Sequence, residues 1–293
     1  MQSTKTTASL PVANKRKKKF SIFPYVNGLL FLIVCLIILV PIWKILVDSF
    51  DLSTGYGMKL FPQNFGLQGY VTVLTNPTLI TPLKNSFITT IAGTFLGLLL
   101  STLGAYVLIQ WDMPGRGFFA WLLMFSMVFS GGMIPSYIVI RKLGMINTLW
   151  AVILPPAISV YNLVLMRNFF EGIPNSLFES ATLDGCTPMQ TFYKIALPLS
   201  KAALASIGLM FAVSYWNDYT NYKLYITKAD LYNFQMKLRS MMQGSNLPNA
   251  SGAVTENTIQ NACVIVAILP FMILYPFLQK YFVKGINIGA VKE

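Results

Sequence analysis

Between two strongly apolar stretches, the sequence reads SLFESATLDG at residues 176–185 and CTPMQTFYKIALP at residues 186–198. This segment is too polar to span a membrane and too regularly patterned to be a plain linker. Ser176 and Glu179 have the spacing of a capping box, in which the hydroxyl accepts a backbone amide and the carboxylate reaches back. A helix is therefore predicted to begin there. Gly185 is predicted to end it, because glycine adopts the left-handed conformation of a helix C-terminus without a Cβ clash.

A second short helix is predicted to follow directly. Thr187 is a favourable N-cap, Pro188 is favoured at the first helical position, and Gln190 completes a second capping box. This helix should run to about Ile195 and stop near Pro198. The segment is thus expected to be two short helices with a glycine hinge between them.

The apolar residues of this predicted helix pair recur at helical spacing, which places each set on one face. They are Leu177, Phe178 and Ala181 in the first helix, and Met189, Phe192, Tyr193 and Ala196 in the second. Such a pair either lies on a membrane surface or docks in a groove of a partner protein. The first helix is acidic, with Glu171, Glu179 and Asp184, which disfavours an anionic lipid surface. Docking onto protein is the better interpretation.

Outside this segment the chain is dominated by apolar residues. Of its 293 residues, 55% are hydrophobic and only 11% are charged, whereas soluble proteins carry about 25% charged residues. A membrane-spanning helix needs about 20 apolar residues. Six stretches approach that length: Phe23–Leu46, Asn85–Ile109, Phe118–Ile140, Leu149–Met166, Ala202–Tyr219 and Ile259–Leu278. The first is too long for a signal peptide and lacks its small-residue cleavage site. The predicted fold is an all-α polytopic membrane protein with six transmembrane helices.

The basic residues predict the orientation in the membrane. With the N-terminus in the cytoplasm, 13 of the 22 Lys and Arg residues lie inside and the other nine outside. The positive-inside rule therefore favours a cytoplasmic N-terminus and a cytoplasmic C-terminus. Arg141 and Lys142 fall on the outer side, against this rule, which indicates a short connection folded against other protein.

Two domains are expected, a basic cytoplasmic tail at residues 1–21 and a transmembrane domain at residues 22–293. The tail carries KRKKK directly before the first apolar stretch, which favours a topology signal over nucleic-acid binding. The external loops of the transmembrane domain either contact a partner outside the cell or are solvated lids. The expected loops are a cytoplasmic one at about 167–201 and long external ones at about 48–84 and 222–258.

The composition disfavours several kinds of site. The chain has no histidine, which removes the commonest general base and transition-metal ligand. Its three cysteines lack metal-ligand spacing and do not form a disulfide framework. A membrane enzyme is therefore disfavoured. The apolar stretches are nearly free of ionisable groups, which disfavours an ATP-independent secondary transporter. No Gly-x-x-x-x-Gly-Lys-Ser/Thr loop is present, so the usual nucleotide cradle is missing.

Small residues recur at four-residue spacing in the second apolar stretch. They allow two helix backbones to approach closely in a membrane. The close approach is equally compatible with packing inside this chain and with packing between subunits. The residues are Gly93, Gly97, Ser101 and Ala105.

The run Glu179-Ser-Ala-Thr-Leu-Asp-Gly185, followed by Ile195-Ala-Leu-Pro198, resembles the EAA loop of ABC importer permeases. That motif begins Glu-Ala-Ala, continues to a glycine and later reads Ile-x-Leu-Pro. Ser180 replaces its second residue, a mild departure that should leave the helix and its docking intact.

Further segments extend the resemblance to carbohydrate permeases of the maltose-importer second-permease type. They are Asn85-Ser86, Ala105-Tyr106, Gly115-Arg116, Trp216-Asn217-Asp218 and the terminal Gly289-Ala-Val-Lys292. The runs GGMIP at 131–135 and MRNFF at 166–170 resemble the branch associated with complex oligosaccharides such as alginate and pectin fragments.

This resemblance implies a type I ABC importer permease fold in the cell membrane and the import of oligosaccharides. The implied partners are a second homologous permease chain, two ATPase subunits, an external substrate-binding protein, the oligosaccharide and the lipid bilayer, but no nucleic acid. ATP and Mg would be bound by the ATPase, so this chain is expected to hold no cofactor, no metal and no catalytic residue. A permease of the same family for a non-sugar solute remains an alternative.

The resemblance also implies two groups of site residues. Glu179 would pair with an ATPase arginine, or would merely close its capping box. The implied ATPase-coupling residues are Glu179, Ser180, Ala181, Asp184, Gly185, Ile195, Leu197 and Pro198. The implied substrate pathway is Trp216, Asn217, Asp218 and Tyr219, which offer aromatic faces and hydrogen-bonding groups suited to sugars. A Trp and an Asp at a helix end could equally anchor the membrane interface and face water.

Overall fold

The computed structural model describes residues 23–53, 57, 59–110, 112–244 and 255–290, the last of these by backbone alone at 278 and 280–290. Within these ranges the chain is helical, with a single isolated bridge between Asp51 and Phe65. The chain divides into two units, one ending at Lys44 and the other beginning at Ile45. The predicted basic tail at 1–21 and the terminal 291–293 lie outside the described residues.

The helices follow one another with short connections. They are α1 (Phe23–Phe50), α2 (Gln68–Thr75), α3 (Pro77–Ile109), α4 (Arg116–Val128), α5 (Met133–Lys142), α6 (Trp150–Ala157), α7 (Val160–Glu171), α8 (Asn175–Leu183), α9 (Pro188–Thr191), α10 (Leu197–Leu199), α11 (Lys201–Trp216), α12 (Thr220–Tyr225), α13 (Phe234–Met242) and α14 (Glu256–Ala290). A π-helical turn, Phe192–Ala196, joins α9 to α10, and a 3₁₀ turn, Ala229–Leu231, precedes α13.

Three of the six predicted crossings are continuous helices, in α1, α3 and α14. Each is long and apolar enough to cross a membrane. The other three predicted crossings fall in pairs of helices that are bent at short breaks. The bend is 113° between α4 and α5, 43° between α6 and α7, and 81° between the Pro188–Leu199 helix and α11. The helical segments therefore provide up to six spans, as the sequence predicts.

Each bend lies where the sequence weakens a helix. Gly132, between α4 and α5, has φ 86° and ψ 176°, a conformation that essentially only glycine adopts. Pro155 and Pro156 lie at the end of α6, and proline cannot continue the helical hydrogen-bond ladder. The third bend, at Ser200, turns the chain from the predicted cytoplasmic loop into α11.

Helix α3 is the centre of the larger unit, because it packs against α11, α7 and α6. Its small residues face α11. A Cβ on Gly93 would overlap the Tyr215 ring, and one on Gly97 would lie 2.7 Å from the Phe211 ring. These small residues therefore allow close packing inside this chain, which is one of the two interpretations that the sequence left open.

The two predicted external loops contain more structure than expected. Residues 48–84 include the end of α1, all of α2 and the first turns of α3, and residues 222–258 include most of α12, all of α13 and the first residues of α14. Local polar contacts organise the first loop: the buried Asp51 carboxylate accepts the Ser53 and Asn64 amides at 2.9 and 3.2 Å and the Lys59 ammonium at 2.7 Å. The Thr258 hydroxyl donates to the Asp51 carbonyl at 2.8 Å, which joins this loop to α14.

Candidate functional site: the α8–α10 loop and the cleft at the end of α11

The first helix of the predicted cytoplasmic loop, α8, begins earlier than predicted. Its N-cap is Pro174, and no side chain caps it, so the predicted Ser176–Glu179 capping box is wrong. Pro174 has an extended backbone conformation and is the N-cap, so the helix begins at Asn175. Ser176 therefore already lies inside the first helical turn. Its carbonyl accepts the Ser180 hydroxyl at 2.7 Å.

Glu179 is consequently left without an intramolecular role. Its side chain is exposed, and no hydrogen bond or ion pair joins it to any described residue. Glu179 instead lines a cleft of about 580 Å³ together with Tyr106, Arg116 and Glu171. A carboxylate in this position is available to a cation from outside the chain.

The predicted glycine hinge is confirmed. Gly185 has φ 74°, its amide donates to the Thr182 carbonyl at 3.0 Å, and the Cys186 amide donates to the Ala181 carbonyl at 2.9 Å. This pair of bonds is a Schellman motif, which satisfies the last carbonyls of a helix and turns the chain sharply.

The second capping box is also confirmed. The backbone amide of Gln190 donates to the Thr187 hydroxyl at 3.3 Å, and the backbone amide of Thr187 donates to the side-chain carbonyl of Gln190 at 2.9 Å. The helix stops near Pro198, as predicted, with Leu199 as its last residue. Because proline would clash with the carbonyl four residues back, the preceding turn widens, and the Leu197 amide bonds to the Phe192 carbonyl five residues back.

The apolar residues of the loop divide into two sets. Phe192 and Ala196 are buried in the core formed with α3, α7 and α11, and Ala181 of α8 is also buried. A second set is exposed: Leu183 at 89%, Met189 at 52%, Tyr193 at 58% and Leu199 at 55%. Glu179 and Leu183 share one face of α8, because they are four residues apart. One face of the loop is thus buried against the rest of the chain, and another face is exposed.

Of the other predicted coupling residues, Ser180, Asp184 and Pro198 are exposed, and Ile195 and Leu197 are half-buried. Sequence reasoning missed two residues that position the loop. The Tyr106 hydroxyl donates to the Pro188 carbonyl at 2.9 Å. Glu171, which was predicted to lie in the acidic first helix of the loop, is instead the last residue of α7. Its carboxylate accepts Arg167 at 2.8 Å and lies 3.5 Å from Arg116, which joins the end of α7 to the start of α4. A signal for Arg167 and Glu171 was their four-residue spacing.

The predicted substrate-pathway residues lie at and just after the C-terminal end of α11 but have different surroundings. Trp216 is buried, and its indole N–H donates to the Ala267 carbonyl at 3.0 Å. Trp216 and the exposed Asn217 line a second cleft of about 420 Å³ with Gln235 and Phe271. The Gln235 amide donates to the Asn217 side chain at 3.2 Å.

Asp218 and Tyr219 lie beside this cleft and do not line it. The Asp218 carboxylate accepts the Asn221 backbone and side-chain amides, both at 3.0 Å, and so holds the start of α12. Its carbonyl accepts the Asn233 side chain at 2.6 Å, which fixes the start of α13. The Arg239 guanidinium lies 4.5 Å from the centre of the Tyr219 ring, an attractive cation–π distance.

Comparison with known proteins identifies relatives of the whole chain. Residues 117–288 match the family described as "Binding-protein-dependent transport system inner membrane component". A polygalacturonan/rhamnogalacturonan transport system permease protein (YtcP) of Bacillus subtilis is 38% identical, over 94% of this chain and 99% of that protein. An arabinooligosaccharides transport system permease protein (AraQ) of Halalkalibacterium halodurans is 28% identical over 94% and 99%.

A solved structure shares the fold. It belongs to a bacterial ABC transporter involved in the import of the acidic polysaccharide alginate, and one of its chains is 30% identical to this one. The two superpose with a TM-score of 0.84, covering 92% of this chain and 100% of that chain. This chain thus shares its overall helical arrangement with a chain of that transporter.

Proposed function

Because the chain belongs to the family of binding-protein-dependent transport system inner membrane components, the membrane permeases of ABC importers, we propose that it carries acidic oligosaccharides into the cell. The names of the relatives support this substrate class, because polygalacturonan and alginate are both built from uronate sugars. The observation that carries the permease role is the loop formed by α8 to α10, which is anchored by a buried face and presents an unpaired carboxylate.

The proposed topology places this loop and both chain ends in the cytoplasm. The excess of Lys and Arg on that side supports it. The short segment around Arg141 and Lys142 would then be external, where the neighbouring Ile140 packs in one buried cluster with Tyr222 and Tyr225 of α12.

The proposed coupling surface consists of Glu179, Leu183, Met189 and Tyr193. In this mechanism two ATPase subunits bind ATP and Mg, close on each other and push the α8–α10 loops of two permease chains. Glu179 would pair with an ATPase arginine, and the three exposed apolar side chains would fill the ATPase groove. Gly185 would hold the angle between the two helices. The chain has no nucleotide-binding loop of its own, so the energy must come from those subunits.

On the opposite side, an external binding protein would deliver the sugar to the loops that contain α12 and α13. The cleft beside Trp216 and Asn217 is the proposed entrance to the pathway. The amides of Asn217 and Gln235 are suited to sugar hydroxyl groups, because each offers both donors and an acceptor. Phe271 supplies an apolar ring surface in the same cleft.

Glu179→Ala in the assembled transporter tests the coupling role. Removing a charged hydrogen bond costs about 1.5–3 kcal/mol, so ATPase affinity should fall by about ten-fold or more. Sugar-stimulated ATP hydrolysis should fall with it, while membrane insertion stays intact. Glu256→Ala is the matched control, since Glu256 is an exposed carboxylate in the first turn of α14. Normal ATPase binding and normal uptake by Glu179→Ala would refute the assigned role.

Uptake competition tests the substrate. Proteoliposomes containing the whole transporter should accumulate labelled oligogalacturonate, and unlabelled oligogalacturonate should compete whereas an amino-acid mixture should not. Competition by amino acids would instead support a same-family permease for another solute. Asn217→Ala and Gln235→Ala should raise the KM for uptake, whereas Thr182→Ala, in the other cleft, should leave the KM unchanged.

A further inference from the structure

Three polar side chains are buried together near the start of α3, a helix long and apolar enough to cross a membrane. Asn85 is 8% exposed, and Ser86 and Thr89 are each 1% exposed. Thr89 shares a helix face with both of the others, because it follows them by four and three residues. Buried polar groups cost free energy unless they are hydrogen-bonded. The partners of this α3 polar cluster therefore show what it holds in place.

The α3 polar cluster binds the segment that leads into α13. The side-chain amide of Asn85 donates to the carbonyls of Asp230 and Tyr232 at 2.9 and 3.0 Å, which uses both of its donor hydrogens. The Ser86 hydroxyl accepts the backbone amide of Phe234, the first residue of α13, at 2.8 Å. Together these bonds fix the start of α13 against α3, because they occupy three backbone groups within five residues.

The α3 polar cluster also holds α12. The Tyr222 hydroxyl donates to the Thr89 hydroxyl at 3.0 Å, and the Thr89 hydroxyl donates to the Asn85 carbonyl at 2.9 Å. Tyr222 lies in the middle of α12 and is buried. Helices α12 and α13 are thus both fastened to α3 by buried hydrogen bonds.

The residues that are held in this way lie directly beside the two polar side chains of the cleft at the end of α11. Gln235 follows Phe234 in the chain. Asn217 precedes Asp218, whose carbonyl accepts the buried Asn233 side chain at 2.6 Å. The Gln235 side-chain amide donates to the Asn217 side chain at 3.2 Å. A shift at the start of α13 would therefore move Gln235 away from Asn217.

We propose that Asn85 and Ser86 are positioning residues for this cleft, because they fix the start of α13 and so bring Gln235 against Asn217. The inference rests on the proposed function, which makes the cleft the entrance for the oligosaccharide. In this arrangement α3 is the support, and α13 carries one of the two amides that meet the sugar. The tolerance is narrow, since a shift of about 1 Å breaks a hydrogen bond.

A cross-linking experiment tests the positioning without measuring transport. The substitutions Asn217→Cys and Gln235→Cys are introduced together into an assembled transporter whose chain has its three native cysteines replaced by serine or alanine. A short bifunctional methanethiosulfonate should join the two thiols. Ser86→Ala should slow this reaction by about three- to ten-fold, the range for losing one hydrogen bond, because it leaves the start of α13 unanchored.

Thr102→Ala is the matched control for the cross-linking. Thr102 is also buried in α3, but its hydroxyl donates to the carbonyls of Leu98 and Leu99 in the same helix, at 2.6 and 3.1 Å. This variant should react at the rate of its parent. An unchanged rate in Ser86→Ala, or no cross-link in the parent itself, would overturn the proposal.

A double-mutant cycle on uptake separates positioning from general stability. Ser86→Ala and Gln235→Ala should each raise the KM for oligogalacturonate by about three- to ten-fold. The double variant should show little further rise beyond Gln235→Ala alone, because Ser86 acts through Gln235 and the two effects are then not additive. A normal KM in Gln235→Ala would contradict the proposed sugar cleft. A raised KM in Gln235→Ala, combined with additive effects or a normal KM in Ser86→Ala, would contradict only this inference.

Discussion

The hydroxyl of Tyr106, near the end of α3, donates a 2.9 Å hydrogen bond to the carbonyl of Pro188, the first residue of α9. The Tyr106 ring also packs 4.9 Å from the Phe192 ring and meets the Phe170 ring edge-on at 6.1 Å. This one side chain therefore joins a membrane-spanning helix to the loop that we propose couples to the ATPase. In the proposed mechanism, a push on the loop would reach α3 through these packed side chains.

Tyr106→Phe should loosen that connection without changing the packing. Losing one hydrogen bond costs about 1 kcal/mol, so thermal unfolding of the purified transporter should occur at a slightly lower temperature. Tyr106→Ala should cost about 3–5 kcal/mol, because it also leaves a cavity. Tyr161→Phe is the control, since Tyr161 is 53% exposed and should be unaffected. Equal unfolding temperatures for wild type and Tyr106→Phe would show that the bond contributes nothing.

Gly93→Ala should destabilise the larger unit, although alanine is the better helix former. A Cβ there would overlap the Tyr215 ring, which cannot swing aside freely because its hydroxyl donates to the Ile153 carbonyl at 2.7 Å. Overpacking costs about 1–3 kcal/mol, more than the gain of about 1 kcal/mol in helix propensity. Gly117→Ala, with nothing within 4 Å, is the control. Greater stability of Gly93→Ala in thermal unfolding would contradict the α3–α11 packing.

Substitutions of Gly185 should act through backbone conformation alone. A Cβ at Gly185 would meet nothing within 4 Å, but the residue has φ 74°, and a side chain in the left-handed region costs about 1–2 kcal/mol. Stability should therefore fall in the order Gly, Asn, Ala, Val, because asparagine tolerates this region best and β-branched residues worst. Sugar-stimulated ATP hydrolysis measured across the series should fall in the same order. A series without this order would mean that the hinge conformation is not required.

Asp51→Asn should weaken the loop between α1 and α2, which is predicted to be external, and its effect should depend on pH. Burial raises the pKa of the Asp51 carboxyl, but hydrogen bonds from Lys59, Ser53 and Asn64 outweigh burial and hold the pKa well below its ordinary value of 3.8. The stabilisation is therefore complete above the unfolded pKa and is lost as the pH falls below about 4. Proteolysis of the loop should be faster in the variant at pH 6, and the difference should shrink toward pH 3. A pH-independent difference would exclude the ionised carboxylate as its cause.

Much of the architecture could be predicted from local patterns. The apolar stretches predicted six spans, because the bilayer sets a minimum length for any crossing helix. The Thr187–Gln190 capping box and the Gly185 helix end were predicted correctly because both depend on contacts within a few residues. The Ser176 box was wrong for an equally local reason, since Pro174 already begins the helix.

The sequence by itself determined that the chain is helical and membrane-embedded, and that a hinged helix pair interrupts it, because hydropathy and capping act over short distances. Only the tertiary structure decided how those parts are used. It packs Gly93 against Tyr215, and it buries Ala181 and Phe192 while leaving Leu183 exposed. It also separates α4 from α5 by a sharp bend next to Gly132. These outcomes depend on which distant side chains meet, since packing in three dimensions decides which of several apolar faces is covered and which is left for a partner.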